Sequence, residues 1–133
     1  MNTDGARRRS VWIWLGYWVA LFVLTHTPTS GLPGPRIEHA DKVIHFALYF
    51  LLTWLGNRAA TSTPRAVSVL FRWALAYAIF AALDEWSQTL VGRTPSLMDW
   101  FADLAGVTAA TVWWWARSMR NASSRLGRQN ADL

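Results

Sequence analysis

Three pairs of polar residues, each four positions apart, lie inside stretches of this chain that are otherwise apolar. Residues four apart lie on one face of a helix, one turn from each other, so each pair would present two polar groups to the same neighbour. The pairs are Asp41 with His45, Asp84 with Gln88, and Asp99 with Asp103. Glu85 stands beside the second pair, and Arg93 lies between the second and third. Together these residues predict one shared polar site.

The residue types of this set could support three kinds of chemistry. His45 or Glu85 could act as a general base if its pKa were tuned to the reaction, and Asp99 is a third catalytic candidate. Arg93 could hold a phosphate group through its planar guanidinium. The acids together with His45 could bind a divalent cation, and no other cofactor is evident from the sequence.

Each residue also has a purely structural interpretation. Asp41 could cap the first turn of a helix, and Asp99 could complement the positive end of another. Arg93 could be an interfacial anchor or an ion-pair partner, and Glu85 could face headgroups and solvent. His45 alone would more often be a buried hydrogen-bonding residue than a ligand or a base. The hypothesis of a site therefore rests on the convergence of three helices.

Four apolar stretches must position these pairs, and they predict an all-α fold. We place the helices at about residues 11–27, 41–59, 66–91 and 95–117. A Pro- and Gly-containing loop at 28–35 and a short turn at 61–64 separate the first three. Thr94 is the predicted cap of the last helix, with Pro95 at its first position. Residues 118–133 are polar and basic and are predicted to form a disordered cytoplasmic tail.

The basic residues alternate along the chain. Ten of the 13 Lys and Arg residues lie near the N-terminus, around the connection between the second and third helices, and from Arg117 onward. The other three lie in or beside the two remaining connections. This alternation follows the positive-inside rule for a transmembrane bundle of four helices with both termini in the cytoplasm. The polar site would then face outward. Because no Ala-x-Ala-like cleavage site follows the first helix, we interpret that helix as an uncleaved anchor.

The composition agrees with a membrane location. The chain is 53% hydrophobic and 16% charged, whereas soluble domains contain about 25% charged residues. The formal charge of +5 follows the predicted cytoplasmic segments and does not form one patch, so we expect membrane lipids as partners and no nucleic acid. There is no cysteine, which excludes disulfides and thiolate chemistry. The sequence does not indicate an oligomeric state.

Two segments resemble the VanZ-like family of small membrane proteins. Residues 41–50, Asp-Lys-Val-Ile-His-Phe-Ala-Leu-Tyr-Phe, are similar to the family's Asp-Lys-x-x-His-Phe-x-x-Tyr segment. The second block is Asp84-Glu85-x-x-Gln88, then Gly92-Arg93-Thr94, then Asp99-x-x-x-Asp103-x-x-Gly106. The resemblance covers about residues 41–110. It departs from the family pattern at Asp103, where Asn is common.

The resemblance implies a multi-pass protein of the bacterial inner membrane. The family's namesake is linked to low-level resistance to the glycopeptide teicoplanin. The positions that carry over as the expected functional set are Asp41, His45, Glu85, Gln88, Arg93 and Asp99. Since Asp103 is an acid where the family commonly has a neutral amide, a site built around that position would differ in charge.

Three functions remain open at the level of the sequence. The first is a non-enzymatic envelope protein whose outward polar site binds a lipid headgroup, a lipid-linked envelope intermediate or a glycopeptide-type drug. The second is a membrane-embedded hydrolase or transferase that acts on a phosphate- or sugar-bearing lipid. The third is a proton or ion pathway, against which stands the lack of any polar route to the cytoplasmic end.

Overall fold

Helices account for nearly all of the chain that the computed structural model describes, which is residues 3–27, 40–60 and 67–131, with side chains for residues 4–124 of these ranges. The α-helices are α1 (Thr3–Thr25), α2 (Ala40–Ala60), α3 (Val67–Ser87) and α4 (Leu97–Ala131). One 3-10 turn, Gln88–Val91, follows α3. No strand occurs in these ranges, which confirms the all-α class for them. The predicted loop at 28–35 and the turn at 61–64 lie outside the described residues.

The start of the first helix and the end of the last helix differ from the predicted ones. α1 begins at Thr3 instead of near residue 11, and α4 continues to Ala131 through the segment for which a disordered tail is predicted. That segment contains no proline to end the helix. Its serine hydroxyls donate back to carbonyls of the preceding turn, as Ser118 does to Trp115 at 2.7 Å and Ser124 does to Arg120 at 3.0 Å. Polarity alone therefore does not end this helix.

Consecutive helices run antiparallel, which gives an up-down-up-down bundle. α2 packs mainly against α4, and it also packs against α1, while α3 packs against α4. α1 contacts α3 through side chains at both ends. The centroids of the Trp14 and Trp73 rings are 6.1 Å apart at one end, and the Thr25 hydroxyl donates a hydrogen bond to Asp84 at the other. α1 and α3 are therefore parallel.

The two ends of the bundle have different compositions. At the polar end, Thr25 of α1, His45 of α2, Glu85 of α3 and Asp103 of α4 are all buried. At the aromatic end, Trp14 contacts Trp73, and Trp54 contacts Trp113 at 6.5 Å between ring centroids. The three polar pairs therefore converge on one end, as their position in the helices predicts.

A glycine sets the distance between α2 and α4. A Cβ atom on Gly106 would collide with the backbone carbonyl of Phe46 and would lie 2.8 Å from the Phe50 amide nitrogen. Small residues at such a crossing let two helix backbones come close. Because Gly106 follows Asp103 by one turn, this close approach also brings Asp103 against α2.

The interior of the bundle is unusually polar and its surface unusually apolar. The buried polar residues include Asn57, Asp84, Glu85, Gln88 and Asp103. Large apolar side chains are exposed on all four helices, among them Val19, Ile44, Leu75, Ile79 and Phe101. Soluble proteins seldom expose apolar surface over large contiguous areas.

By length and composition, the segment Val67–Val91 is the one candidate membrane span in the described ranges. This is weak support for a membrane protein, since a core helix of a soluble protein passes the same criterion. Such a core helix is mostly buried, however, whereas 22% of the most apolar window of this segment is buried. The other three helices carry charged residues in their first turns or near them, such as Arg7, Lys42 and Asp99.

Candidate functional site

A histidine–carboxylate pair forms the centre of the polar end. His45 Nδ1 lies 3.0 Å from Asp103 Oδ1, and the two residues are 5% and 1% exposed. α2 supplies His45, and α4 supplies Asp103 at the level where Gly106 brings the two backbones together. The pair is thus a consequence of the helix packing and not of proximity in sequence.

Glu85 approaches this pair from α3, and Gln88 approaches it from the 3-10 turn that follows α3. Glu85 Oε2 accepts a hydrogen bond from Gln88 Nε2 at 3.1 Å, and both residues are buried. Glu85 Oε1 accepts a hydrogen bond from the backbone amide of Ser96, just before α4. Gly92, with φ of 75°, ends the 3-10 turn in the left-handed region that favours glycine. This reversal returns the chain so that Ser96 reaches Glu85.

Three potential metal ligands meet at this point. One donor atom from each of His45, Glu85 and Asp103 lies within 4.8 Å of the other two. The second oxygen of Asp103, Oδ2, is buried and has no hydrogen-bond partner among the described residues. We call His45, Glu85, Gln88 and Asp103 the polar centre.

Asp84 faces α1 and forms a neighbouring group. Thr25 Oγ1 donates to Asp84 Oδ1 at 3.1 Å, and His26 Nδ1 lies 3.7 Å from the same oxygen. His26 Nε2 is also 2.9 Å from the hydroxyl of Ser87. Thr25 and His26 are absent from the predicted site, although their position at the C-terminal end of the first helix, just before Pro28, could have indicated them.

Arg93 does not pair with the acids in the described ranges, so of its alternative interpretations the ion-pair partner is not the one observed. Its Nη1 donates instead to the carbonyl oxygen of Thr25 at 2.5 Å, and no ion pair of Arg93 occurs within the described ranges. The physical reason is that the last carbonyls of a helix have no partner inside the helix, and a cation at this negative end is favourable. Thr25 is the last residue of α1. Arg93 thus ties the turn before α4 to the end of α1.

Asp41 and Asp99 form an ion-pair group at the rim. Lys42 Nζ lies 3.4 Å from Asp41 Oδ2 and 3.4 Å from Asp99 Oδ1. Asp41 is exposed, whereas Asp99 is buried in the first turn of α4. Lys42 is absent from the predicted site although it lies within the segment that suggested the family. Asp41 and His45 share one face of α2 but have different partners.

The charges of the polar end are unevenly compensated. Lys42 neutralises the rim acids, and Arg93 is directed to α1. Neither cation contacts Glu85 or Asp103, so within the described residues the polar centre pairs two carboxylates with one imidazole. Buried carboxylates need charge partners or protons. The arrangement is therefore suited to accepting protons or to binding a cation.

Comparisons with known protein families, with curated proteins and with solved structures give no match to this chain.

Proposed function

We propose that this chain is a VanZ-like protein of the bacterial inner membrane, with four membrane helices and both termini in the cytoplasm. Its polar end faces outward and binds the headgroup of an envelope lipid, a lipid-linked envelope intermediate or a glycopeptide-type drug. A role in envelope homeostasis or in teicoplanin-type resistance follows from the family resemblance of the sequence.

The observation that carries the proposal is the inverted distribution of polarity. Acids and amides such as Asp84, Gln88 and Asp103 are buried, while large apolar side chains such as Val19 and Ile79 are exposed. In water this arrangement exposes apolar area and buries charge, and both are unfavourable. In a bilayer the apolar surface contacts lipid, and ionisable residues turn toward the bundle interior, where they commonly mark a functional site.

Reporter fusions test the orientation. We expect fusions after Ser30 and Thr94 to be external and fusions after Thr61 and Arg128 to be internal, because the basic segments stay in the cytoplasm. The reverse pattern would place the polar end on the cytoplasmic side and would remove the basis for binding at the outer leaflet.

Lipid profiling tests the binding function. A deletion strain would be complemented with the wild-type chain, with Glu85→Ala, or with Asp4→Ala as a matched control. Asp4 is an exposed acid in the first turn of α1, far from the polar end. We expect Glu85→Ala to resemble the deletion in its envelope lipids, in the lipid retained on the purified protein, and in teicoplanin susceptibility. Equal behaviour of Glu85→Ala and Asp4→Ala, at equal protein abundance, would contradict the proposal.

A second function is favoured by the His45–Asp103 hydrogen bond of 3.0 Å. A carboxylate that orients an imidazole is the arrangement of a general base, and His45 could then activate water against a phosphate- or sugar-bearing lipid. A hydrolase of this kind predicts accumulation of one lipid in the deletion strain and in His45→Gln. A binding protein predicts loss of retained lipid without accumulation of a substrate.

A further inference from the structure

We infer that His45, Glu85 and Asp103 form a binding site for one divalent transition-metal ion, of the class of Zn²⁺ or Mn²⁺. The inference deepens the proposed function, since it concerns the same polar end and rests on that end being a binding site. It adds a bound ion as the group through which the site would contact a phosphate, carboxylate or sugar oxygen.

The donor set fits such an ion. One imidazole and two carboxylates suit Zn²⁺ and Mn²⁺ better than Mg²⁺ or Ca²⁺, which prefer oxygen ligands alone. Bonds of about 2.1 Å in a tetrahedral site hold the donor atoms about 3.4 Å apart. The three donor atoms of this site lie within 4.8 Å of one another. Small side-chain rotations would therefore bring them to the spacing that the ion requires. Three protein ligands leave a coordination position for water or a headgroup.

A second, independent observation comes from the unpartnered oxygen of Asp103. Oδ2 is buried on a residue that is 1% exposed, and it has no hydrogen-bond partner among the described residues. A buried carboxylate oxygen left without a partner carries a desolvation cost. A metal ion would satisfy this oxygen and would also compensate the second carboxylate, Glu85, which neither Lys42 nor Arg93 contacts.

The surroundings are those of an oriented ligand shell. Gln88 and the Ser96 amide each donate to one oxygen of Glu85, which fixes the carboxylate while leaving a lone pair on each oxygen for coordination. Hydrogen bonds to ligating carboxylates are a regular feature of metal sites and tune the affinity of the ion. Three different helices supply the ligands, so binding would also join α2, α3 and α4.

Metal content of the purified full chain tests the inference. The protein in detergent would be treated with a chelator, loaded separately with Zn²⁺ or Mn²⁺, and desalted before elemental analysis. We expect about one ion per chain for the wild type. Loss of a direct ligand in His45→Gln, Glu85→Gln or Asp103→Asn should weaken the affinity at least about tenfold, because loss of a residue that only supports a ligand already costs about 10- to 100-fold. Asp4→Asn should bind as the wild type does, because Asp4 is an exposed acid in the first turn of α1, away from the polar end.

Thermal unfolding separates loss of the ion from loss of the fold. An ion that binds only the folded state raises the unfolding midpoint. Added Zn²⁺ should therefore raise the midpoint of the wild type and of Asp4→Asn, and should leave that of Asp103→Asn unchanged. Without metal, Asp103→Asn should be at least as stable as the wild type, because it removes a buried charge and keeps an oxygen that can face His45. A wild type that retains no ion after loading, or variants that retain as much as the wild type, would overturn the inference.

The metal and the lipid readouts can fail separately. If the wild type retains lipid in a Glu85-dependent manner but binds neither ion, the proposed function stands and the metal site is wrong. If it binds one ion through the three ligands but retains no lipid, the metal site stands and the lipid-binding function is wrong.

Discussion

The polar end and the aromatic end of the bundle hold the same four helices together by different means. At the aromatic end, ring packing dominates, as between Trp14 and Trp73. At the polar end, directional contacts between helices dominate, such as His45 with Asp103 and Thr25 with Asp84. Ring packing tolerates small displacements, whereas a buried hydrogen bond or ion pair loses its partner when a helix shifts. The polar end is therefore where sequence constrains geometry most tightly.

The largest difference between the ends should appear when a buried polar group is removed. His45→Ala leaves Asp103 without its imidazole partner, and breaking a buried pair costs about 3–5 kcal/mol. At the aromatic end, Thr53 is buried, and its hydroxyl has no partner among the described residues. Thr53→Val should therefore be neutral or should stabilise by about 1 kcal/mol. Denaturant unfolding in detergent measures both.

A double variant checks the cause of the His45 effect. If the cost comes from an unpaired buried acid, His45→Leu combined with Asp103→Leu should recover most of the stability lost in the single variant. A double variant that is less stable than the sum of the two single changes would assign the effect to packing instead.

One methyl group added to a glycine at each end of the bundle should change the stability by different amounts. Gly106→Ala places Cβ against the backbone of Phe46 and Phe50, which cannot move without shifting α2. Gly56→Ala places Cβ against the Tyr77 hydroxyl and the Trp14 ring, which are ends of side chains. We expect Gly106→Ala to cost about 2–3 kcal/mol and Gly56→Ala less, since overpacking is relieved more easily by side chains than by backbone.

Gly16 supplies the control for this pair. A Cβ at Gly16 meets nothing within 4 Å. Because alanine favours helix over glycine by about 1 kcal/mol, Gly16→Ala should raise the unfolding midpoint. Equal losses at Gly106 and Gly56 would show that the α2–α4 backbone contact is not a special constraint of the polar end.

The sequence predicted which residues converge better than it predicted how they pair. The four-residue spacing of the polar pairs and their common position in the helices were enough to predict one shared location. It is the end of the bundle that contains His45, Glu85, Gln88 and Asp103. The same spacing also suggested that Asp41 and His45 act together. The structure gives them different partners, because one turn along α2 separates the exposed rim, where Lys42 contacts Asp41, from the buried centre, where Asp103 contacts His45.

Arg93 and the C-terminal segment show where sequence reasoning lacked the necessary information. The partner of Arg93 is a backbone carbonyl at the end of α1. Because every residue has a backbone carbonyl, the residue types of the sequence do not indicate which one accepts this hydrogen bond. The direction of Arg93 also depends on the left-handed conformation of Gly92. Likewise, the polarity of residues 118–131 suggested disorder, whereas helix continuation depends on backbone geometry and on the absence of proline.

Two arginines at opposite ends of the bundle should contribute unequally to stability. Arg93→Ala removes the donor to the Thr25 carbonyl, and a hydrogen bond from a charged donor contributes about 1.5–3 kcal/mol, less where it is partly exposed. Arg117 is exposed and lies 5.5 Å from the centre of the Trp113 ring, a contact that contributes about 0.5–1 kcal/mol. We expect Arg93→Ala to lower the unfolding midpoint more than Arg117→Ala does.

Arg93→Lys separates a structural tie from ligand recognition. Lysine can still donate to one carbonyl, so stability and abundance should stay near the wild type if the tie is the whole role of Arg93. If Arg93 also grips a phosphate or carboxylate, lysine keeps the charge but loses the bidentate geometry, and teicoplanin susceptibility or lipid retention should change at normal abundance. Because the contact described for the guanidinium is one bond from Nη1 to the Thr25 carbonyl, which a lysine can replace, we expect Arg93→Lys to retain function.

The smallest effect concerns the start of α4, where the predicted cap was wrong by two residues. The helix begins at Leu97, and the hydroxyl of Ser96, not that of Thr94, accepts a hydrogen bond from the Asp99 amide at 3.3 Å. Ser96→Ala removes this cap and should cost about 0.5–1 kcal/mol, while Thr94→Ala should cost nothing measurable, since Thr94 is exposed.

The Ser96 amide also donates to Glu85. Ser96→Pro removes that donor as well, so it should lower the unfolding midpoint further than Ser96→Ala does. Equal midpoints for the two Ser96 variants would mean that the amide contributes nothing to holding Glu85.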